Sequence, residues 1–537
     1  MNKENADRIA EQTGVPAFLA MMLEIRGFHT PQAAANFLQG AAGLSNPLLL
    51  PDMEKAVSRI RRAVDEYEKI AVYGDYDADG ITATSILFSY LLTCGANVMY
   101  YIPEREGEGY GMNASAVEKL AEQGVKLIVT VDNGISSHKE VELASQLGMD
   151  TVITDHHRPQ SILPPALAVV DAWRADNRCP FRDFSGVGVA FQLMMALEME
   201  DGDPRSLLDN YADLVAIGTI GDVVPLIGEN RALVQAGLRL LQEPEREGIR
   251  SLLVQAGMEG KRLNATSVAF TLVPRINATG RMGSPTRAVR LLTSEEPEEA
   301  ASLAADICED NDRRRQTEAE ILEKVREQLT REPERLCDRV LVVDGEGWHH
   351  GVIGIVAARL VDRFGKPCIV LSTENGEARG SGRSVEGFDL FRAVDSCRAL
   401  LTRYGGHPMA AGLSLPAESI AAFRQTINRY AAGMKEMPIP PLTLDCRLNP
   451  SALRTELPEL LEQLEPFGEG NPAPLFGLYG MLLEEMTPVG GGKHLRLTLR
   501  KKDATVRCMQ FGMTAENFPC QPGDTLDLAV SLEAREF

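Results

Sequence analysis

The residues able to do chemistry gather in four short stretches: Asp75-x-Asp77-x-Asp79-Gly80, Asp132-Asn-Gly134, Asp155-His-His157 and Gly221-Asp222. Each follows an apolar run, at residues 69–74, 126–131, 151–154 and 217–220. A single Asp after a strand is most often a helix cap or a turn residue. Three acidic strand ends in one chain are harder to obtain from capping alone. They place several carboxylates and one or two imidazoles in one crevice, where like charges repel and burial raises carboxylate pKa values. A divalent cation resolves that conflict. Aspartate oxygens with a minority of imidazole suit Mn²⁺ or Mg²⁺ better than a thiolate-preferring ion. The Asp75–Gly80 stretch also imitates a helix-loop-helix calcium loop. That reading fails because a strand precedes it and the twelfth position is Ile86, where a bidentate Glu is required.

The elements that must position these groups alternate. Strands are expected at 69–74, 96–102, 126–131 and 151–154, with helices over 81–92, from Asn113 to about 124, and over 137–147. Short strands separated by helices of ten or so residues imply parallel pairing by crossovers. Residues 65–225 therefore read as an open α/β parallel sheet with helices on both faces, and ligands bind outside the carboxyl ends of such strands. Residues 1–50 read as short helices. Further on, 233–258 is helical in pattern, 274–283 is a loop-like glycine-containing segment, and 298–328 is one long charged helix of the kind that serves as a spacer. A second α/β unit starts near residue 339 and carries Gly380-Ser-Gly-Arg-Ser384 as a loop. Pro438 to Pro441 makes a rigid linker. After it, short strands at 477–483, 495–500, 505–511 and 526–532 suggest a small β-barrel.

Length and composition bound the rest. The 537 residues suggest three or four domains. Hydrophobic residues at 44% and charged residues at 24% exclude disordered and coiled-coil classes. No apolar run approaches the roughly 18 residues of a membrane helix. The N-terminus lacks an apolar signal core, so the expected location is cytoplasmic. Nine cysteines without a C-x-x-C pair argue against a disulfide framework. The net charge of -21 excludes a uniformly basic nucleic-acid coat but not a local basic site.

The stretches Val72-Tyr-Gly-Asp-Tyr-Asp-Ala-Asp-Gly80, Val131-Asp-Asn-Gly134, Asp155-His-His157 and Gly221-Asp222 resemble the DHH phosphoesterase superfamily. Gly405-Gly-His407 resembles the glycine-rich signature of its companion DHHA1 domain. Pro274-Arg-Ile-Asn277, Gly280-Arg-Met282 and Trp348-His-His-Gly-Val-Ile-Gly354 narrow the resemblance to the RecJ family of single-stranded-DNA-specific exonucleases. The resemblance runs from about residue 15 to the end, and at least six motifs occur in the family's order. It implies an N-terminal helical segment (1–50), a DHH catalytic domain (51–235), a helical connector (236–335), a DHHA1 domain (336–436) and an OB-like nucleic-acid-binding barrel (440–537). The chain stops in what reads as a continuing strand, and the family usually extends further. The resemblance also implies two Mn²⁺ or Mg²⁺ ions, attack from the 5′ end of single-stranded DNA, release of mononucleotides, and a role in recombination and repair. A helicase and a single-strand-binding protein are expected partners of a monomer. In that frame Asp132 resembles the bridging ligand, Asp77 and Asp79 hold one ion each, and Asp222 and His156 complete the shells. His157 faces the non-bridging phosphate oxygens. Asp75 is either a ligand or a partner of one, and Asp155 orients an imidazole.

Positive donors should come from the second α/β unit. Arg383 and Ser381 can clamp phosphate oxygens, in the company of His407, and Arg105 after the second strand can face the same cleft. Arg275, Asn277 and Arg281 form another polar cluster, for positioning the DNA backbone or for an interdomain salt bridge. His349 and His350 read as packing or interface residues, and Tyr110 as core or as a stacking platform. In 494–500, Leu495, Leu497 and Leu499 alternate with Arg496 and Arg500, the pattern of a strand with one apolar and one basic face. Two other functions compete: a DHH phosphodiesterase for short oligoribonucleotides or cyclic dinucleotides, and a non-catalytic replication-fork scaffold. The inserted helix and the terminal barrel argue against the first, and the complete acidic set argues against the second.

Overall fold

The computed structural model describes residues 2–39, 43–105, 109, 111–199 and 202–533. Tyr110 and the last four residues lie outside the described residues. Five apolar runs form β1 (Ile70–Tyr73), β2 (Val98–Tyr101), β3 (Leu127–Val131), β4 (Asp150–Thr154) and β5 (Ala168–Val170). They pair in the order β2-β1-β3-β4-β5, every pair parallel. β1, β3 and β5 are buried along their whole length, as a sheet covered on both faces requires. Alternate residues point to opposite faces. Ile70, Val72, Leu127 and Val129 pack with helices Met53–Asp65, Ala78–Thr93 and Gly186–Glu198, while Ala71, Tyr73, Ile128 and Ile153 pack with Ala114–Glu122 and His138–Gln146. After β2 the chain returns to the other side of β1, so the switch point of the sheet lies between β1 and β3.

The second sheet contains β6 (Leu341–Glu346), β7 (Cys368–Glu374), β8 (Glu377–Arg383), β9 (Arg403–His407) and β10 (Ala410–Pro416), in the order β6-β7-β8-β10-β9. Only β6 and β7 pair in parallel. Helix Pro297–Arg331 joins the two units. Its early residues Ala300, Leu303, Ala304 and Ile307 belong to the first core, and Ile321, Val325 and Leu329 belong to the second. At 35 residues it is a strut of about 52 Å whose ends are both packed. The third sheet holds β11 (Cys446–Arg447), β12 (Phe476–Val489), β13 (His494–Lys501), β14 (Ala504–Gln510) and β15 (Thr525–Val530). The long, bulged β12 pairs with β15 in its first half and β13 in its second, the bend expected of an OB-like half-barrel. The N-terminal helices Lys3–Thr13, Ala17–Ile25 and Pro31–Gln39 share a core with this sheet.

Three expectations fail. Residues 274–283 are not a loop: helix Val273–Met282 covers them, continuing directly from a π-helical turn, Val268–Leu272. Gly280 is there for closeness, since a Cβ would lie 2.6 Å from the Tyr76 carbonyl oxygen. Gly380 to Arg383 is strand, not loop. Its glycines make room for Leu371 and Leu390, which lie 2.4 and 2.8 Å from where Cβ atoms would stand on Gly380 and Gly382. The stretch 233–258 is two helices, Gly228–Gln242 and Glu247–Gln255, broken around Pro244.

Arg231 of helix Gly228–Gln242 ties the first and third units together. Its side chain is buried, stacks 3.8 Å from the Phe37 ring, and donates to the carbonyls of Phe37, Leu464 and Glu465 at 3.1, 3.0 and 2.7 Å. Arg231→Met keeps most of the volume but leaves three buried carbonyls without donors. The expected loss is about 3 kcal/mol. It would be read as a lower melting temperature together with faster proteolysis of the N-terminal helices. Unchanged values on both counts would remove Arg231 from this role.

Candidate metal centre and active site

The acidic residues meet because β1, β3 and β4 end side by side. Asp75, Asp77 and Asp79 follow β1, Asp132 follows β3 in the middle of the sheet, and Asp155, His156 and His157 follow β4. Asp222 arrives from elsewhere, as the residue that caps the end of helix Ser206–Gly221. Three groups of side-chain atoms each lie within 4.8 Å of one another: Asp75, Asp77 and Asp132; Asp79, His156 and Asp222; and Asp132, His156 and His157. Asp132 and His156 each take part in two groups. The His156 Nε2 lies 3.1 Å from Asp132 Oδ1, and its Nδ1 lies 3.6 Å from Asp222 Oδ2.

Local structure holds each group. Asp77 caps helix Ala78–Thr93, its Oδ1 accepting from the Asp79 and Gly80 amides at 3.0 Å. Asp79 accepts from the Gly186 and Val187 amides at 2.6 and 2.8 Å, at the start of helix Gly186–Glu198. Asp132 sits at φ 62°, a left-handed turn that Asp tolerates better than most residues. Gly186 presses against it: a Cβ there would stand 2.6 Å from Asp132 Oδ1. Asp155 accepts from the amides of Ile135, His156 and His157 and from His157 Nδ1 at 2.7 Å, so it orients an imidazole.

The electrostatics are those of a crowded anionic site. Burial, followed by the charge of Asp77, raises Asp75 to about 8. Burial and then Asp222 raise Asp79 to about 7, and burial raises Asp222 to about 6 against the pull of His156. Asp132 is pushed well up by burial and then by Asp79 and Asp77. Burial opposes the charge on His157, yet the hydrogen bond and charge of Asp155 carry it up to about 9. The residues fit a divalent cation. Asp75 Oδ1 and His156 Nε2 are buried with no hydrogen-bond partner, inside a ring of acids that would otherwise have to protonate.

The positive donors divide. Arg105 lies over the Tyr76 ring at 5.3 Å. Arg281 donates to the Gly351 carbonyl at 2.8 Å, in the first turn of helix His350–Phe364. Arg383 donates to Ser381 Oγ at 3.1 Å, and both back onto Gly354 of that helix. Burial, and then the charge of Arg105, lowers Arg281 to about 10 and lowers Arg383 as well, so three guanidiniums converge between the two units. His407 is exposed on edge strand β9. Ala410 pairs with both Arg383 and His407, which puts them on one face of the sheet, two strands or roughly 10 Å apart. Asn277 accepts from the Ala78 amide at 2.8 Å and so helps to fix the metal loop. Arg275 does not join the cluster; it is spent on Cys308 Sγ and the Thr271 carbonyl, because it points along its own helix. His349 caps helix His350–Phe364. On β13, Leu495, Leu497 and Leu499 are buried while Arg496 is exposed, and Arg500 is paired with Glu484.

Sequence reading missed Asp171, a further acid after β5, buried, with Oδ2 unpartnered and its carboxyl raised by burial to about 7. The apolar run Ala168-Val-Val170 just before it was the available signal. It also missed Tyr76, which links Arg105 to the metal loop, and Gly186.

Family models match residues 69–219 (DHH family, N-terminal domain), 338–433 (DHHA1 domain) and 444–537 (RecJ OB domain). The chain is 37% identical over 542 residues to the single-stranded-DNA-specific exonuclease RecJ of Bacillus subtilis, covering all of this chain and 68% of that protein. It is 35% identical to the protein of the same name from Escherichia coli, covering 91% of this chain and 89% of that one. The crystal structure of RecJ in complex with Mn²⁺ from Thermus thermophilus superposes with a TM-score of 0.84 at 32% identity, over 99% of this chain and 78% of that one. The same enzyme with Mg²⁺ gives 0.76 at 30% identity, over 99% of this chain and 77% of that one.

Raised carboxyls stabilise the fold below their unfolded value near 3.8, and that stability is lost as pH rises through the folded values of about 6 to 8. His157 acts in the same direction up to about 9. The chelated protein should therefore melt at a lower temperature at pH 8 than at pH 5.5. Added Mn²⁺ should raise the melting temperature more at pH 8. Equal melting at both pH values under chelation would show that the acids ionise freely within the fold.

Proposed function

The chain belongs to the RecJ family of single-stranded-DNA-specific exonucleases, and from that membership we propose that it hydrolyses single-stranded DNA from the 5′ end, one mononucleotide at a time, in recombination and repair. The observation that carries the reading is the acidic crevice at the switch point of the first sheet, faced by the converging Arg105, Arg281 and Arg383. Two Mn²⁺ or Mg²⁺ ions would be held by Asp77, Asp79, Asp132, His156 and Asp222, with Asp132 shared and Asp75 beside them. When bound they supply Lewis acidity toward the phosphate and a nucleophile at neutral pH.

The chain's own groups do the rest. Asp155 keeps His157 protonated and aimed outward, where the imidazolium can hydrogen-bond a non-bridging oxygen as charge builds on the phosphate. Arg105, Ser381 and Arg383 bind the terminal 5′-phosphate, beyond the metal loop and across the domain boundary, so an internal linkage finds no such anchor. Arg281 braces that boundary. His407 and the exposed Arg496 meet more distant parts of the strand. No helix among the described residues is long and apolar enough to cross a membrane. We place the protein in the cytoplasm, as a monomer working with a helicase and a single-strand-binding protein.

Asp132→Ala should abolish metal-dependent release of nucleotides from end-labelled single strands while the protein stays folded. Loss of a shared ligand costs several kcal/mol of barrier, so more than about a tenth of wild-type turnover would rule out the bridging role. Arg383→Ala should slow cleavage of 5′-phosphorylated strands and shrink their advantage over 5′-hydroxyl strands. One lost charged contact of about 1.5–3 kcal/mol corresponds to roughly 10- to 150-fold. Equal slowing on both substrates would move end recognition away from Arg383.

A further inference from the structure

Arg158 directly follows His157, and its guanidinium carbon lies 3.7 Å above the Trp173 ring. It is exposed, and among the described residues it has no carboxylate within ion-pairing distance. In a chain with 76 acidic and 55 basic residues, an exposed arginine at the edge of the most acidic crevice would be expected to pair with an acid. Instead its guanidinium sits over an aromatic ring, on an exposed side chain.

The support beneath it is rigid. Asp171, fully buried at the end of β5, accepts from the Trp173 amide at 2.6 Å. The next residue, Arg174, donates to the Val169 carbonyl at 2.6 Å and to Asp52 Oδ2 at 2.5 Å. Asn177 closes the loop with bonds to the carbonyls of Ala172 and Cys179 at 2.8 and 3.2 Å. These anchors fix the indole in place, and stacking on it removes rotamer freedom from the arginine.

Strand order gives the position meaning. Along the carboxyl edge of the sheet, Arg105 follows β2, the acids follow β1, β3 and β4, and the Arg158–Trp173 pair follows β4 and β5. Four steps of about 4.8 Å separate the first strand from the last. A strand with its 5′-phosphate at Arg105 and its scissile phosphate over the acids runs on toward β5. We propose that Arg158, preorganised by Trp173, binds the first phosphate on the 3′ side of the scissile linkage and grips the strand that remains after each cut. The proposal rests on the nuclease reading above, which fixes the direction of the strand.

The test compares a 5′-phosphorylated dinucleotide, which has only the terminal and scissile phosphates, with the 5′-phosphorylated trinucleotide, which adds the phosphate in question. The quantity read is the ratio of kcat/KM for the two, measured with Mn²⁺. Arg158→Ala should reduce the wild-type advantage of the trinucleotide about tenfold, the size of one charged hydrogen bond. Trp173→Leu, with Arg158 present, should reduce it by less, and Arg158→Lys should restore part of it. A ratio unchanged by Arg158→Ala, or equal slowing of both substrates, overturns the assignment. Wild-type protein that released no nucleotide from a long end-labelled single strand with Mn²⁺ would instead overturn the nuclease reading.

Discussion

Everything in this molecule is arranged around carboxylates that repel one another. Asp75, Asp77, Asp79, Asp132 and Asp222 are brought within a few ångströms by the ends of β1 and β3 and by the helix before Asp222, most of them out of water. Such a cluster is unstable without protons or cations. The protein holds it by covalent and hydrogen-bonded geometry: the left-handed turn at Asp132, the amides at two helix starts aimed at Asp77 and Asp79, and glycine at 186, where a methyl group would collide with Asp132. Each device prevents the acids from relaxing apart. The repulsion is thereby converted into affinity for divalent metal.

The same repulsion explains the parts at a distance. A site that would act on any phosphodiester needs an external rule for which one it receives. In the proposed function that rule is positional. Cations stand on both sides of the acids along one sheet edge, and one side is completed only by the second α/β unit. Helix Pro297–Arg331, packed at both ends, holds that unit against the first, and the Arg281 bond to the Gly351 carbonyl fixes the approach. An acidic chain can thus contact a polyanion, because the field at the cleft is set by a few guanidiniums placed there, from half-buried Arg281 and Arg383 to exposed Arg158, and not by the net charge.

The parallel sheet, its metal-ligand candidates and the chemistry they share were legible in the sequence, because β-strands of this kind are uninterrupted apolar runs and their ends are punctuated by acids. Local pattern therefore reports local conformation faithfully at Asp75, Asp132 and Asp155. Glycine was misread twice. At Gly280 and Gly380 the pattern reads as loop, whereas each lies in regular structure and is small because a carbonyl or a leucine from elsewhere presses on it. Closeness between segments distant in the chain leaves no periodic trace.

The family, the order of units and the acids that end β1, β3 and β4 can be read from the chain alone. Packing in three dimensions was needed to show that Arg281 and Arg383 converge with Arg105 while Arg275 does not, that Asn277 serves the metal loop, and that Asp171 and Trp173 support Arg158 beside it. An aspartate after a strand is placed by the few bonds that join it to that strand, whereas the direction of a long arginine side chain is set by whichever carbonyl, ring or thiol the packing brings within reach.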